Sequence, residues 1–205
     1  MDRKPIGRAV VPVALALIIA VVIVLGARRL GVATMVIIGG SAVIAYFVWL
    51  ATAWRRPVDP SRVLSPYLVL IAMELIHMGE EQVSDFPSSL RQIFDIPPTF
   101  DLLTHALVLM GGVNALAILA AVGLRSRHRV AQQFSGYMVW FYVVGPGVVN
   151  AVAHVTFPFL VGRLYFSGLV TVILPTVAGV VTLVRLIQGD IAVRQNEAKF
   201  RGQVT

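Results

Sequence analysis

Apolar residues along this chain fall into long runs that are separated by short polar or charged stretches. A helix needs about 20 predominantly apolar residues to cross the hydrocarbon core of a bilayer. Six runs come close to that length, at residues 9–26, 31–54, 62–81, 102–124, 134–155 and 165–187. The pattern predicts an all-α, polytopic membrane bundle of about six transmembrane helices, with residues 1–205 forming a single transmembrane domain.

The composition supports a membrane protein. Hydrophobic residues make up 58% of the chain and charged residues only 13%, against roughly 25% charged residues in soluble domains. The net charge of +7 does not indicate a nucleic-acid partner, because the basic residues stand between the apolar runs. The chain has no cysteine, which excludes disulfides, thiol nucleophiles and thiolate ligands.

The first apolar run is expected to be a retained helix and not a cleaved signal peptide. Its apolar segment exceeds the roughly 7–15 residues of a signal-peptide core, and Arg28 and Arg29 stand where small residues would precede a cleavage site. The lipid bilayer is therefore the expected surrounding of this run as well.

The basic residues predict how the bundle is oriented. Cytoplasmic loops carry an excess of Lys and Arg. With six helices and the N-terminus inside, the outer side holds only Arg28, Arg29, Arg91 and Arg163, and the inner side holds thirteen: Arg3, Lys4, Arg8, Arg55, Arg56, Arg62, Arg125, Arg127, Arg129, Arg185, Arg194, Lys199 and Arg201. Both termini are predicted to be cytoplasmic, and residues 188–205 are predicted to form a basic cytoplasmic tail.

The longest loop, residues 82–101, lies on the predicted outer side. Ser88 can cap a short helix in which Leu90, Ile93 and Phe94 share one face. Such a helix would lie on the membrane surface or cover what is beneath it, while the alternative is an ordinary connecting loop.

Ionisable side chains interrupt the third apolar run. Glu74, His77, Glu80 and Glu81 fall within an arc of about 120° on one helix. A charged side chain at the bilayer centre costs about 2.5–3.5 kcal/mol, so helices do not carry such groups merely for packing. Intramembrane ionisable residues usually face the bundle interior and mark a functional site.

Polar residues of three other runs are expected at the same level. Asn150 and His154 share one face of the fifth run, just after a proline that should bend it. His105 and Asp101 begin the fourth run, although an aspartate there is also a normal helix cap. Tyr165 begins the sixth. The predicted orientation places all of them near the outer face, which predicts one shared site.

This set of side chains allows two kinds of chemistry. Carboxylates and imidazoles are ligands of zinc, iron and manganese, and a metal would explain why carboxylates cluster in an apolar segment. The candidate metal ligands are Glu74, His77, Glu80, Glu81, His105 and His154, with zinc or iron as the cofactor. The alternative is metal-free acid–base catalysis by a His77–Glu81 pair. The candidate catalytic residues are His77, Glu80, Glu81, Asn150, His154 and Tyr165.

Two short motifs resemble those of a known family. Residues 77–81 read H-x-x-E-E and residues 150–154 read N-x-x-x-H, while residues 165–168 match a Y-x-P-G motif except that Ser167 replaces proline. In this order the motifs resemble the HXXEE family of bacterial integral membrane proteins over roughly residues 65–187. The resemblance implies a membrane enzyme with the motif residues in its active site, and it implies no particular reaction.

The sequence therefore favours a small enzyme in the plasma membrane that acts on a lipophilic or membrane-delivered substrate. A proton- or ion-coupled transporter and a membrane interaction or scaffold protein stay open as alternatives.

Overall fold

The computed structural model describes residues 6–202, with side chains described for residues 10–191 and for Gln195. Within this part the chain is helical and contains no β-strand. Six helices are long and apolar enough to cross a membrane, which confirms the predicted all-α bundle. Some of the basic residues that predict the orientation lie outside the described side chains: Arg3, Lys4, Arg8, Arg194, Lys199 and Arg201.

The helices follow one another with short connections, apart from the long loop after the third. They are α1 (Ile6–Leu30), α2 (Val32–Thr52), α3 (Pro60–Val83), the short α4 (Phe86–Leu90), α5 (Leu102–Gly123), α6 (Arg129–Val161) and α7 (Ile173–Gly202). Four of the predicted runs coincide with α1, α2, α3 and α5 to within a few residues at either end, and the fifth run lies within the longer α6.

The prediction that the sixth helix begins at Tyr165 is wrong, because α7 begins only at Ile173. Gly168 has a φ of +87°, a left-handed conformation that glycine adopts readily and that an α-helix cannot contain. Residues 165–172 therefore form a connecting segment with a turn at 167–172, in which the backbone N–H of Val172 donates to the Gly168 carbonyl at 3.2 Å.

Aspartate side chains cap the first turns of α3 and α5. Asp59 accepts the backbone N–H of Ser61 at 2.9 Å, and Asp101 accepts that of Thr104 at 2.8 Å. These bonds satisfy donors that the first turn of a helix leaves unpaired. Asp101 thus fixes where α5 leaves the long loop.

The long loop contains the expected short helix, but its predicted cap is wrong. Asp85 is the N-cap of α4 and accepts the backbone N–H of Ser88 at 3.2 Å, so that Ser88 lies inside the helix. Phe86 and Leu90 are buried. The helix therefore packs onto the bundle and does not merely connect α3 to α5.

Two helices depart from α-helical geometry midway. α5 contains the π-helical segment His105–Val113, and α6 contains Gly145–Val149, which includes the proline predicted to bend this helix. Beside the second segment α6 and α7 approach closely, since a Cβ added to Gly179 would lie 2.6 Å from the Cα of Gly147. π-Helical turns are frequent at functional sites.

Helices α3 and α6 occupy the centre of the bundle. α3 packs along α7 and against α5, whereas α6 packs against α2, α5 and α7; α1 packs mainly on α2. Large aromatic side chains fill one half of the interior, among them the fully buried Trp49, Tyr67 and Tyr142. The opposite half contains histidines and carboxylates.

Candidate metal centre

Three buried imidazoles surround one buried carboxylate where α3, α5 and α6 meet. Oε1 of Glu81 lies 3.5 Å from Nε2 of His77 and 3.0 Å from Nε2 of His154, while Oε2 lies 3.0 Å from Nε2 of His105. The three histidines are fully buried, and Glu81 is 4% exposed. We call these four residues the His/Glu cluster. Their side chains come from three helices that the sequence predicted to share polar groups at one level.

Three members of the cluster could hold a metal ion. His77, Glu81 and His154 each offer one ligand atom, and these atoms lie within 4.8 Å of one another. Two imidazoles and a carboxylate are a ligand set that suits zinc as well as iron. A metal here would also balance the negative charge of the Glu81 carboxylate, which is buried away from water.

A chain of hydrogen bonds fixes the tautomer of His77. The Thr171 hydroxyl donates to Oε2 of Glu80 at 2.5 Å, and the Thr171 backbone N–H donates to the same oxygen at 2.7 Å. Because the hydroxyl proton is used there, the Thr171 oxygen accepts from Nδ1 of His77 at 3.2 Å. Nε2 of His77 then faces the cluster as the ring nitrogen left for a ligand, and it has no hydrogen-bond partner among the described residues. Such support for the second ring nitrogen is typical of metal-binding histidines.

Neither ring nitrogen of His154 has a hydrogen-bond partner among the described residues. Nε2 lies close to Glu81, but the two are not aligned for a hydrogen bond. A buried polar atom without a partner costs about 1–3 kcal/mol. A metal bound by the Nε2 atoms of His77 and His154 would remove that cost for these two atoms and leave only Nδ1 of His154 without a partner.

His105 holds Glu81 from the other side. Nδ1 of His105 lies 3.0 Å from Oε1 of Gln82, whose amide nitrogen donates to the Leu102 carbonyl at 3.3 Å. The two ring nitrogens of His105 therefore bridge Gln82 and Glu81, and this contact fixes the orientation of the Glu81 carboxylate.

Aromatic rings cover the cluster. The Phe86 ring, at the start of α4, lies 5.5 Å from the His154 ring and 5.7 Å from the His105 ring, centroid to centroid. Phe166, from the turn before α7, packs edge-on against Phe86 at 6.1 Å. Of the two interpretations of the long loop, the structure therefore favours a cover over the site.

Gly168 packs directly against two imidazoles. A Cβ at this position would lie 2.5 Å from Cε1 of His154 and 2.8 Å from Cε1 of His77. Only a residue without a side chain fits this contact, in addition to the positive φ. In the same turn, Ser167 is buried and its hydroxyl lies 2.6 Å from that of Ser84.

Glu80 and Tyr165 lie beside the cluster and not within it. The Tyr165 hydroxyl donates to Oε1 of Glu80 at 2.9 Å, and the Val170 N–H donates to the same oxygen at 3.3 Å. Burial raises the pKa of Tyr165, and so does the Glu80 carboxylate, which keeps the hydroxyl protonated as a donor. Glu80 thus joins α3 to the turn before α7 and supports His77 through Thr171.

The remaining predicted residues occupy other positions. Glu74 and Asn150 line a cavity of about 100 Å³ that lies between α2, α3, α5 and α6 and reaches Glu81. No hydrogen bond joins Asn150 to the cluster within the described part of the chain. Asp101 is exposed and caps α5. Of the two predicted roles, a member of the site or a helix cap, the structure shows the cap.

Three residues of the site were not among the predicted ones: Thr171, Gln82 and Gly168. Thr171 and Gln82 have no pattern that marks them, because each acts through a partner on another helix or turn. Gly168 ends the motif that resembles Y-x-P-G, but only the folded turn brings it against the imidazoles.

No family model, curated protein or solved structure matches this chain.

Proposed function

We propose that this chain is a metal-dependent enzyme of the bacterial plasma membrane, in which His77, Glu81 and His154 bind zinc or iron. One observation carries the proposal: the hydrogen bond to Thr171 engages Nδ1 of His77 and leaves its Nε2 unpartnered, facing a carboxylate and a second unpartnered imidazole. The resemblance to the HXXEE family is consistent with it, since both histidines and Glu81 belong to the family's motifs.

A bound metal would supply a Lewis acid and an activated water. Catalytic zinc sites use three protein ligands and keep a fourth position open, and they lower the pKa of a bound water to about 7. Hydrolysis, isomerisation and metal-dependent oxidation can all be built on such a centre. The other residues act as supports: Glu80 and Thr171 orient His77, His105 orients Glu81, and Phe86 excludes water.

The cavity below the cluster favours a lipophilic substrate. Its walls are mainly apolar, with Ile38, Val113 and Phe157 among them, and it lies among helices that can cross a membrane. A transporter would need a polar route to the other side of the bundle. Within the described residues that half is packed with buried aromatic and aliphatic side chains, which favours an enzyme over a carrier.

The test is the metal content of the protein. The wild type, His77→Ala and His154→Ala are purified in detergent without chelator, and metal per chain is measured by plasma mass spectrometry. His128→Ala is the matched control, because His128 is exposed in the loop before α6. We expect about one zinc or iron per chain in the wild type and in His128→Ala, and little in the other two variants. Wild type that contains no metal, even after growth with added zinc and iron, would contradict the proposal.

A further inference from the structure

Glu74 is a buried carboxyl group that the proposed metal centre does not use. It lies on α3 seven residues before Glu81, which places it about 10 Å deeper along the helix axis. It is 6% exposed, and its Oε2 is buried without a partner. Neither of its oxygens forms a hydrogen bond within the described part of the chain, yet the side chain lines the cavity. Burial of a carboxyl group without a hydrogen-bond partner is unfavourable, so a donor that enters the cavity would stabilise it.

Three polar neighbours in the cavity wall have already used their protons, whereas the Thr34 hydroxyl, which also lines the cavity, has no hydrogen-bond partner among the described residues. The two amide protons of Asn114 go to a backbone carbonyl at 2.9 Å and a methionine sulfur at 3.3 Å. The Tyr142 hydroxyl donates to Oδ1 of Asn114 at 3.1 Å, and the Ser41 hydroxyl donates to a carbonyl of its own helix at 2.7 Å. These three groups offer the cavity lone pairs and not protons, so they cannot satisfy Glu74, whose Oε2 is buried without a partner. A ligand that donates a hydrogen bond is the natural complement of this carboxyl group.

The charge of the cavity wall specifies the donor further. Two carboxyl groups, Glu74 and Glu81, line the cavity, and no lysine or arginine does so among the described residues. The remaining wall is apolar and includes Phe141 and Val113, so an inorganic cation would lack oxygen ligands on that side. An organic ammonium ion suits both parts, because its carbon groups can face the apolar wall and aromatic faces attract cations.

We propose that this cavity binds a lipophilic amine, whose ammonium group donates to Glu74 while its carbon groups fill the space between α2, α5 and α6. The volume of about 100 Å³ is smaller than that of a cavity of roughly 150 Å³ that holds benzene, so the bound part is at most one ring. Binding of the amine does not depend on a metal. The further step, that lipophilic amines are the substrate class of the cluster, rests on the proposed function.

Two small ligands of equal shape test the proposal: 4-fluorobenzylamine and its neutral isostere 1-ethyl-4-fluorobenzene. Binding to the full chain in lipid nanodiscs is measured by fluorine NMR, with empty nanodiscs subtracted to remove partitioning into lipid. A charge-assisted hydrogen bond is expected to make the amine bind the wild type at least roughly tenfold more tightly than the isostere. Equal binding of the two ligands would overturn the proposal, and this comparison needs only wild-type protein.

Two variants then test the assigned carboxyl group. Glu74→Gln should reduce amine binding by a similar factor and leave isostere binding unchanged. Asp95→Asn is the matched control, because it makes the same chemical change in the exposed long loop and should bind the amine like wild type. An amine affinity unchanged in Glu74→Gln would overturn the assignment.

Repeating the measurement after removal of metal by a chelator separates this proposal from the proposed function. Amine binding that depends on Glu74 in a protein that never contains metal would support the amine site and contradict the metalloenzyme. If the cluster contains stoichiometric metal and Glu74→Gln binds the amine as tightly as wild type, the amine site is contradicted and the proposed function is not.

Discussion

The Thr171 hydroxyl lies between Nδ1 of His77, at 3.2 Å, and Oε2 of Glu80, at 2.5 Å. Glu80 takes the hydroxyl proton, so Thr171 can only accept from the imidazole. A carboxylate that does not touch the cluster therefore decides which nitrogen of His77 is free to bind a metal.

Replacing Thr171 with valine should weaken metal binding, because the ring loses the acceptor that fixes its tautomer. Loss of such a supporting contact typically costs 10–100-fold in metal affinity, and we expect a dissociation constant raised by roughly that factor. The measurement is a competition titration against a chelator of known affinity. Thr171→Ser should stay close to wild type. Thr176→Val is the control, since the Thr176 hydroxyl bonds only to a carbonyl of the preceding turn.

Replacing Gly168 with alanine should destabilise the protein more than the same change at Gly162. Both glycines have a positive φ, +87° and +65°, so both variants share a backbone cost of about 1 kcal/mol. Only Gly168 faces the imidazoles, whereas a Cβ at Gly162 meets nothing within 4 Å. Overpacking should add about 1–3 kcal/mol. Unfolding titrations in detergent measure the difference, and equal losses would mean that the imidazoles move aside freely.

Removal of the Asp101 cap should lower stability in a pH-dependent way. The backbone N–H of Thr104 donates to Asp101 and holds the pKa of that carboxyl group below its usual value. The stabilisation is then fully present above the ordinary aspartate pKa of about 4 and is lost as the pH falls through the lower, folded-state value. In thermal unfolding, the melting temperature of Asp101→Ala should lie below that of the wild type at pH 7. The difference between the two melting temperatures should become smaller in acid.

The matched variant for this cap is Asp101→Asn, which also caps helices but does not titrate. Its melting temperature should exceed that of the alanine variant by the same margin at every pH. A wild-type advantage over alanine that grows in acid would contradict the assigned role of Asp101.

The orientation predicted from the basic residues can be tested by labelling single cysteines, because the chain has none of its own. Gln92 lies exposed in the long loop, and Arg127 lies exposed in the loop between α5 and α6. A membrane-impermeant maleimide should label Gln92→Cys in intact cells and Arg127→Cys only after permeabilisation. The reverse pattern would place both termini outside.

The sequence predicted the bundle and the helices that contribute to the site, for a simple physical reason. The thickness of the bilayer sets the length of an apolar run, so the pattern places His154 at the same level as His77 and Glu81. Residues four apart share a helix face, so His77 and Glu81 point in the same direction. Glu80 and Glu81 are adjacent and about 100° apart, and nothing in the pattern says which of them faces the imidazoles. That choice depends on the turn before α7, whose path follows from the positive φ of Gly168. Thr171 becomes a partner of His77 only through that turn.

The π-helical segment Gly145–Val149 borders the cavity, and His154 follows it on the same helix. A π turn accommodates one residue more than an α turn. Deleting one residue there would restore the α-helix and rotate everything beyond it by about 100°, which would carry His154 away from Glu81. The one additional residue of the π turn thus affects both the cavity beside α6 and the direction in which His154 points. A single insertion or deletion at this position would therefore change the cavity and the position of His154 together.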